Sequence, residues 1–200
     1  MSEPLSAPRV IVFAGPNGAG KTSHATAILA ALDIPTFVNA DLIARGLVGY
    51  NTQAAAFAAG KIMLRQLGEL ATVRADFAFE TTLSSRSFAR FLRGLKANGY
   101  RVSIYYFSLA SADLAVARVQ RRVLMGGHDI PEEDIRRRFE RSRQNFVNLY
   151  MPVADEFTLF DNSTDDTASV VAQGVAGAVS VLNSRQWIPF NHPIQAKSPS

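Results

Sequence analysis

The sequence predicts an α/β protein built on a parallel sheet with helices on both faces. Short β-branched or aromatic runs recur along the chain, segments of helical period separate them, and no linker is long enough to divide it. The 200 residues are 48% hydrophobic and 19% charged, which supplies one core and excludes disordered and low-complexity classes.

Met1–Pro8 reads as a loose leader without the apolar stretch of a signal peptide. Arg9–Ala14 (RVIVFA) predicts a buried strand. Thr22–Leu32 is Ala-rich and helical, and Ile34–Asn39 is a second short strand closed by Asp41. Gln53–Val73 carries Phe57, Ile62, Met63, Leu67 and Leu70 at helical spacing. Asp76–Phe79 predicts a third strand, and Arg86–Ala97 a helix stopped by Asn98-Gly99. Val102–Leu109 is the fourth strand, and Ala112–Leu124 a helix broken at Met125-Gly126-Gly127. Pro131 followed by Glu132, Glu133 and Asp134 opens a helix running to about Tyr150, with acids at its positive dipole end. Phe157–Phe160 predicts the fifth strand, Thr167–Leu182 a last helix, and Asn183–Ser200 a tail with three prolines. Residues 9–182 are therefore expected as a single domain, with 1–8 and 183–200 as flexible termini.

The absence of cysteine removes disulfides and thiolate metal sites and fits a reducing, cytoplasmic setting. His24, His128 and His192 show no metal-ligand spacing. The longest uncharged apolar stretch, near Ala168–Leu182, is too short for a membrane span and is interrupted by Gln173 and two glycines. The net charge is +4, and Arg outnumbers Lys 17 to 4, with eight Arg between Arg118 and Arg143. Guanidinium groups suit bidentate phosphate contacts, so the bias points to an anionic ligand.

The strongest motif is Gly15-Pro16-Asn17-Gly18-Ala19-Gly20-Lys21-Thr22, which satisfies G-x-x-x-x-G-K-[ST] at every fixed position, between a strand and a helix. Gly18 and Gly20 let backbone N–H groups turn toward phosphate oxygens, and the following helix adds its positive end. Lys21 would reach the β- and γ-phosphates, and the Thr22 hydroxyl would ligate Mg²⁺. Gly15 through Ser23 are thus the expected binding residues for a nucleoside triphosphate, ATP or GTP. His24 reads as a helical surface or packed residue. No N-K-x-D string marks a GTPase, and Phe77-Ala78-Phe79-Glu80 is followed by Thr rather than a second acid, unlike a motor ATPase. Small-molecule kinases remain.

Three features fall beyond the strands' carboxyl ends, where an acceptor would be held. In Asn39-Ala40-Asp41 the carboxylate of Asp41 either accepts a proton from an attacking hydroxyl or caps a helix at Leu42–Arg45. In Glu80-Thr81-Thr82-Leu83 a carboxylate and two hydroxyls either hold acceptor hydroxyls and a Mg²⁺ water or form a capping segment with Ser84 and Ser85. The third feature is an Arg-rich helical pair. At about 100° per residue, Arg118, Arg121 and Arg122 share one face opposite Val116, Val119 and Val123. In the next helix Ile135, Phe139, Ser142 and Phe146 form a packing stripe, with Arg138, Arg141 and Asn145 on one flank and Arg136 and Arg143 on the other. With Gly126-Gly127 as a hinge, this pair reads as a lid at about 118–143 that neutralises charge and excludes water; the competing reading is a solvated helix pair balanced by acids. Arg118, Arg122, Arg138 and Arg141 are the functional candidates.

Taken together, GPNGAGKTS, NADLIA, FAFETTLSS, GGHDIPEEDIRRRFERSRQNF and FDNS resemble the zeta toxin family over about Val10–Ser163. The resemblance implies an adenylate-kinase-like P-loop fold with a five-stranded parallel sheet. It also implies transfer of phosphate from ATP or GTP to a hydroxyl of a sugar nucleotide such as UDP-N-acetylglucosamine, and an antitoxin protein as a partner. By resemblance Asp41 is the catalytic base, Lys21 and Thr22 the P-loop pair, and Glu80 and Thr82 line the acceptor pocket; Asn39 and Thr81, beside them at the strand ends, complete the substrate-binding candidates. The resemblance implies that two of Arg118, Arg122, Arg138 and Arg141 stabilise the transferred phosphate, and the spacing does not identify which two. Arg138 and Arg141 are taken as the catalytic candidates and Arg118 and Arg122 as the nucleotide-binding ones, RVQRRV resembling an adenylate kinase lid in which an Arg, here Arg118, stacks on the base. Asp161-Asn162-Ser163 falls where related kinases pass the base, or else forms a turn. Two other readings stand beside this one: a kinase for another small molecule or a nucleic-acid 5′-hydroxyl, and a non-enzymatic ATP-binding partner module. Tyr105, Tyr106 and Phe107 sit in a predicted core strand, which leaves no stacking platform for nucleic acid. No membrane association is expected.

Overall fold

A computed structural model of the chain describes residues 7–47, 53–127, 129–164 and 167–191. Residues 1–6 of the expected leader, 192–200 of the expected tail, and His128 and His192 lie outside them. The strands are β1 (Arg9–Ala14), β2 (Phe37–Val38), β3 (Phe77–Thr81), β4 (Arg101–Ser108), β5 (Glu156–Asp161), β6 (Ser169–Val175) and β7 (Ala178–Val181). The helices are α1 (Lys21–Leu32), α2 (Ala40–Arg45), α3 (Gln53–Thr72), α4 (Ser87–Ala97), α5 (Ala112–Leu124), α6 (Glu132–Asn145) and α7 (Ser184–Asn191), with a π turn at Phe146–Tyr150 after α6.

β1 sits at the centre because its side chains are apolar on both faces. Val10, Val12 and Ala14 face one core layer and Ile11 and Phe13 the other, and all five are buried. β1 pairs in parallel with β3 and β4, β2 with β3, and β5 with β4. These five strands are the predicted parallel sheet. One core layer packs Val102, Ile104, Tyr106 and Leu159 against Leu67 of α3, Leu92 of α4 and Phe146 and Tyr150 of the π turn. The opposite layer packs Phe107 against Ala25 of α1 and Ala115, Val116 and Val119 of α5. There the rings of Phe13, Tyr105, Phe160, Phe107 and His24 follow one another at centroid distances of 5.8, 6.3, 4.9 and 4.9 Å. Among the described residues no helix is long and apolar enough to cross a membrane.

The sheet is larger than expected. Thr167–Leu182 is not a helix: β6 and β7 form an antiparallel hairpin that extends the sheet to seven strands in the order β2-β3-β1-β4-β5-β6-β7. The turn residues Ala176 and Gly177 both have positive φ, 50° and 85°, the geometry that suits a two-residue hairpin loop. β-branched residues in both strands favour the pleat, and Gly174 and Gly177 weaken the helical alternative. All four β7 residues are exposed. The expected tail also folds in part. In α7, Phe190 is buried against the rings of Tyr106 and Phe146, Trp187 stacks on Phe190 at 6.5 Å, and Arg143 donates to the Phe190 carbonyl at 2.7 Å.

In the helical pair, Ile135, Ser142 and Phe146 are buried as the stripe required, and the Ser142 hydroxyl meets the Tyr106 hydroxyl at 2.8 Å. Burial raises the Tyr106 phenol far above its ordinary value, so it stays protonated. Gly126-Gly127 closes α5, as the break at Met125-Gly126-Gly127 requires: Gly126 N–H donates to Val123 O and Gly127 N–H to Arg122 O, the paired bonds of a Schellman cap.

The hairpin gives a test whose sign separates strand from helix. A Cβ on Gly174 would lie 2.1 Å from the Phe157 ring on the paired strand. Gly174→Ala should therefore destabilise the protein by about 1–3 kcal/mol in urea denaturation, whereas in a helix it would stabilise by up to about 1 kcal/mol.

Candidate active site

The loop from Gly15 to Gly20 joins the end of β1 to the start of α1. Gly15 has φ +136°, and a Cβ there would lie 2.2 Å from the Phe107 carbonyl oxygen, so β4 presses directly on the loop backbone. Gly20 has φ +76°, and a Cβ there would meet Asn162 Nδ2 at 2.5 Å. That amide donates to the Ala19 carbonyl at 3.0 Å and tethers the loop to the end of β5. The Pro16 carbonyl accepts from Ala19 N–H and from the Lys21 ammonium, at 3.3 and 3.0 Å. Asn17 is 8% exposed, and its Oδ1 has no hydrogen-bond partner among the described residues. Lys21 is buried, and Thr22 and Ser23 follow it exposed on the first turn of α1.

Glu80, near the end of β3, gathers the loop and the Asn39 segment at one carboxylate. Its Oε2 accepts from the Thr22 hydroxyl at 2.6 Å and from Asn39 Nδ2 at 3.0 Å, and its Oε1 lies 3.6 Å from Lys21 Nζ. The parallel register that sets Phe13 beside Glu80 brings these groups together. Lys21 and Glu80 side chains are only 7% and 12% exposed, so each charge is compensated mainly by the other.

Asn39 also caps α2. Its Oδ1 accepts from the N–H groups of Asp41 and Leu42 at 2.8 and 3.3 Å. The alternative reading of Asp41 as the helix cap is thereby corrected: Asn39 holds that position, and Asp41 stands exposed in the first turn. Glu80 and Thr81 close β3 rather than following it. The Thr81 hydroxyl accepts from Leu83 N–H at 3.1 Å, and the Thr82 and Ser84 hydroxyls bond at 2.9 Å. Leu83 is fully buried with φ +54°, a conformation a Leu backbone rarely adopts. Two residues outside the predicted set hold it. Asn145 Nδ2 donates to Leu83 O at 2.7 Å and the Tyr150 hydroxyl to Ser85 O at 2.5 Å. Burial pushes the Tyr150 phenol up to about 12, which keeps it a donor at neutral pH.

The arginines divide by partner. Arg118 donates from Nη1 to Asn162 O at 2.6 Å and from Nη2 to the carbonyls of Ser163 and Thr164 at 3.4 and 3.1 Å. It holds the segment that also bears the P-loop tether. The Arg122 stem lies under Gly127, where a Cβ would stand 2.6 Å from its Cγ. Arg136 bridges to Asp113 of α5 at 2.6 Å, joining α6 to α5. Arg138 is half-exposed, 3.6 Å from Asp134, and borders an open surface depression with Ala54, Ala56 and Phe57. Arg141 is exposed one turn on. Asn162, which tethers the P-loop, belongs to Asp161-Asn162-Ser163, for which the sequence offers a place beside the base or a turn but no contact with the loop. Asn145 was visible as the polar member of the Arg138–Arg141 flank, whereas nothing in local sequence marks Tyr150.

The two members of the Asn39–Asp41 motif should separate cleanly. Asn39→Ala removes a helix cap and a Glu80 contact and should cost about 1–2 kcal/mol in thermal or urea unfolding. Asp41→Asn, at an exposed site, should stay within about 0.5 kcal/mol of wild type.

A family model described as Zeta toxin matches residues 1–168. An uncharacterized protein of Haemophilus influenzae is 28% identical over 131 residues, which is 66% of this chain and 92% of that protein. The structure of AvrRxo1-ORF1:-ORF2 with ATP superposes with a TM-score of 0.76 at 19% identity, over 98% of this chain and 67% of that one, so the present chain spans about two thirds of its length. A structure from the PezAT chromosomal toxin–antitoxin system of Streptococcus pneumoniae superposes with a TM-score of 0.60 at 15% identity, over 88% of this chain and 77% of that one. These likenesses agree on the fold, and with the family model matching from residue 1 through β5 to residue 168, the chain belongs to the zeta toxin family.

Proposed function

We propose that the chain is a phosphotransferase of zeta toxin type, moving the γ-phosphoryl group of ATP or GTP to a hydroxyl of a sugar nucleotide such as UDP-N-acetylglucosamine. The observation that carries this reading is the Glu80 carboxylate, which bonds Thr22 of the phosphate loop and Asn39 of the acceptor side and lies beside Lys21. One group thus positions both halves of a two-substrate site.

The residues suit a nucleotide with Mg²⁺. The loop glycines cannot accept a side chain without collision, and Asn17 offers a buried, unpartnered amide oxygen whose carboxamide can turn to donate. The Thr22 hydroxyl and Glu80 carboxylate form a hard-oxygen pair of the kind Mg²⁺ prefers. No group of three or more His, Cys, Asp or Glu that could hold a metal occurs among the described residues, so phosphate and water would complete the coordination. When bound, Mg²⁺ supplies positive charge to the β- and γ-phosphate oxygens.

In this reading Gly15 to Ser23 hold the nucleotide phosphates and Lys21 balances their charge. Arg118 and Arg122 belong to the nucleotide side. A guanidinium plane of this kind can stack on a base, the role the family resemblance implies for Arg118. Asn39, Glu80, Thr81 and Thr82 hold the acceptor. Asp41 takes the acceptor hydroxyl proton as the new P–O bond forms and the bond from the γ-phosphorus to the bridging oxygen breaks, releasing the nucleoside diphosphate. Arg138 and Arg141 of the lid, at about 118–143, offset charge on the transferred group. The AvrRxo1 and PezAT structures, one a two-protein complex and the other from a toxin–antitoxin system, support an antitoxin as a protein partner. A cysteine-free chain is compatible with work in the cytoplasm.

The test is ³¹P NMR of the protein with Mg-ATP and UDP-N-acetylglucosamine. A new phosphomonoester signal is expected. Asp41→Asn should lower its rate of formation about 10²- to 10⁴-fold without weakening ATP binding, and Lys21→Ala should abolish it. ADP and free phosphate without an ester would point to another acceptor, including a nucleic-acid 5′-hydroxyl. Tight ATP binding without turnover would favour a binding module.

A further inference from the structure

The acceptor loop after β3 is held from outside. Leu83 keeps its unusual backbone while fully buried, and its carbonyl accepts from Asn145, 62 residues later in the chain. The Ser85 carbonyl, two residues on, accepts from Tyr150. Both donors lie where α6 gives way to the π turn. In an uninterrupted α-helix residues five apart point about 140° away from each other. In the π turn the bond from Met151 N–H to Phe146 O, at 2.8 Å, spans five residues, so residues five apart are brought to the same side of the helix. The added residue is what lets Asn145 and Tyr150 reach the same loop.

The clamp is anchored on its far side. Ser142, one turn before Asn145, bonds the buried Tyr106 hydroxyl of β4, and Phe146 lies against the Tyr106 ring at 4.3 Å. Arg138 and Arg141 occupy the earlier turns of the same helix. Two hydrogen bonds thus connect the end of α6 and its π turn to the loop that begins at Glu80.

We propose that Asn145 and Tyr150 are positioning residues that set the acceptor loop 80–85 in register with the arginine-bearing helix α6. The proposal rests on the phosphotransferase reading. It adds that pose of the acceptor, and not nucleotide binding, depends on these two side chains.

The full-length protein is tested with Tyr150→Phe, which keeps the ring and removes the hydroxyl, and Asn145→Asp, which keeps the shape and replaces the donor with an acceptor. Hydrogen–deuterium exchange at residues 81–86 should rise about tenfold in each variant, the effect of losing one hydrogen bond, while exchange in β1 and α1 stays unchanged. With UDP-N-acetylglucosamine as acceptor probe, KM for the acceptor should rise or kcat fall about tenfold, with KM for Mg-ATP and its binding constant unmoved. Unchanged exchange in both variants would overturn the proposal. So would a loosened loop with unaltered acceptor kinetics, or an equal loss of ATP affinity, which would mark a general structural role. A wild-type protein that binds Mg-ATP but transfers nothing to the probe would count against the phosphotransferase reading, and the exchange measurement would still decide the clamp.

Discussion

The carboxylate of Glu80 is the point on which the site turns. It stands at the carboxyl end of a strand paired directly with the one that feeds the phosphate loop, so its position relative to Lys21 and Thr22 is fixed by sheet register rather than by a flexible side-chain reach. An unpaired carboxylate or ammonium at that depth would carry a severe desolvation penalty. Each needs the other, and Asn39 satisfies a further lone pair while its own oxygen caps α2. Removing the acid would leave a buried cation, an idle hydroxyl and a half-used amide, and would loosen the helix bearing Asp41.

Around that junction the fold works as two supports. β1, apolar on both faces, feeds the phosphate loop, and β4 supports that loop through the Phe107 carbonyl at Gly15. The segment after β5 holds it from the side through Asn162, and Arg118 fixes that segment in turn. The helical pair is tied to the core by Ser142 and Phe146 and across itself by Arg136 and Asp113, so its arginines start from a rigid frame.

Much of this was legible because the decisive signals were local. The glycine-lysine loop, the apolar runs of β1 and β4, and the acids opening α6 each declare themselves within a few residues. Asn39 and Glu80 were visible as polar residues at strand ends, but their joint use of one carboxylate depends on pairing between distant strands. The hairpin β6-β7 was hidden for a definite reason. Its valines and alanines satisfy a helical pattern as readily as a pleated one, and the deciding feature is the positive φ of Ala176 and Gly177, which no side chain announces. α7 was hidden by its proline-bearing surroundings, and its docking depends on Phe190 finding the Tyr106 and Phe146 rings across the fold. Tyr150 was read as the end of a helix, since an extra residue per turn leaves no mark in composition.

The chain carries a single tryptophan, Trp187, and it lies in α7 beside Phe190. Intrinsic fluorescence excited at the red edge of protein absorption is therefore a signal from the docked C-terminal helix alone. Arg143 joins that helix to α6 by one backbone contact, and Gln186 joins it to Asp161 beside the segment that steadies the phosphate loop. Phe190 also seats that helix on the Tyr106 and Phe146 rings, so a change in the emission of this one indole on adding a nucleotide would report motion of the frame on which α7 docks.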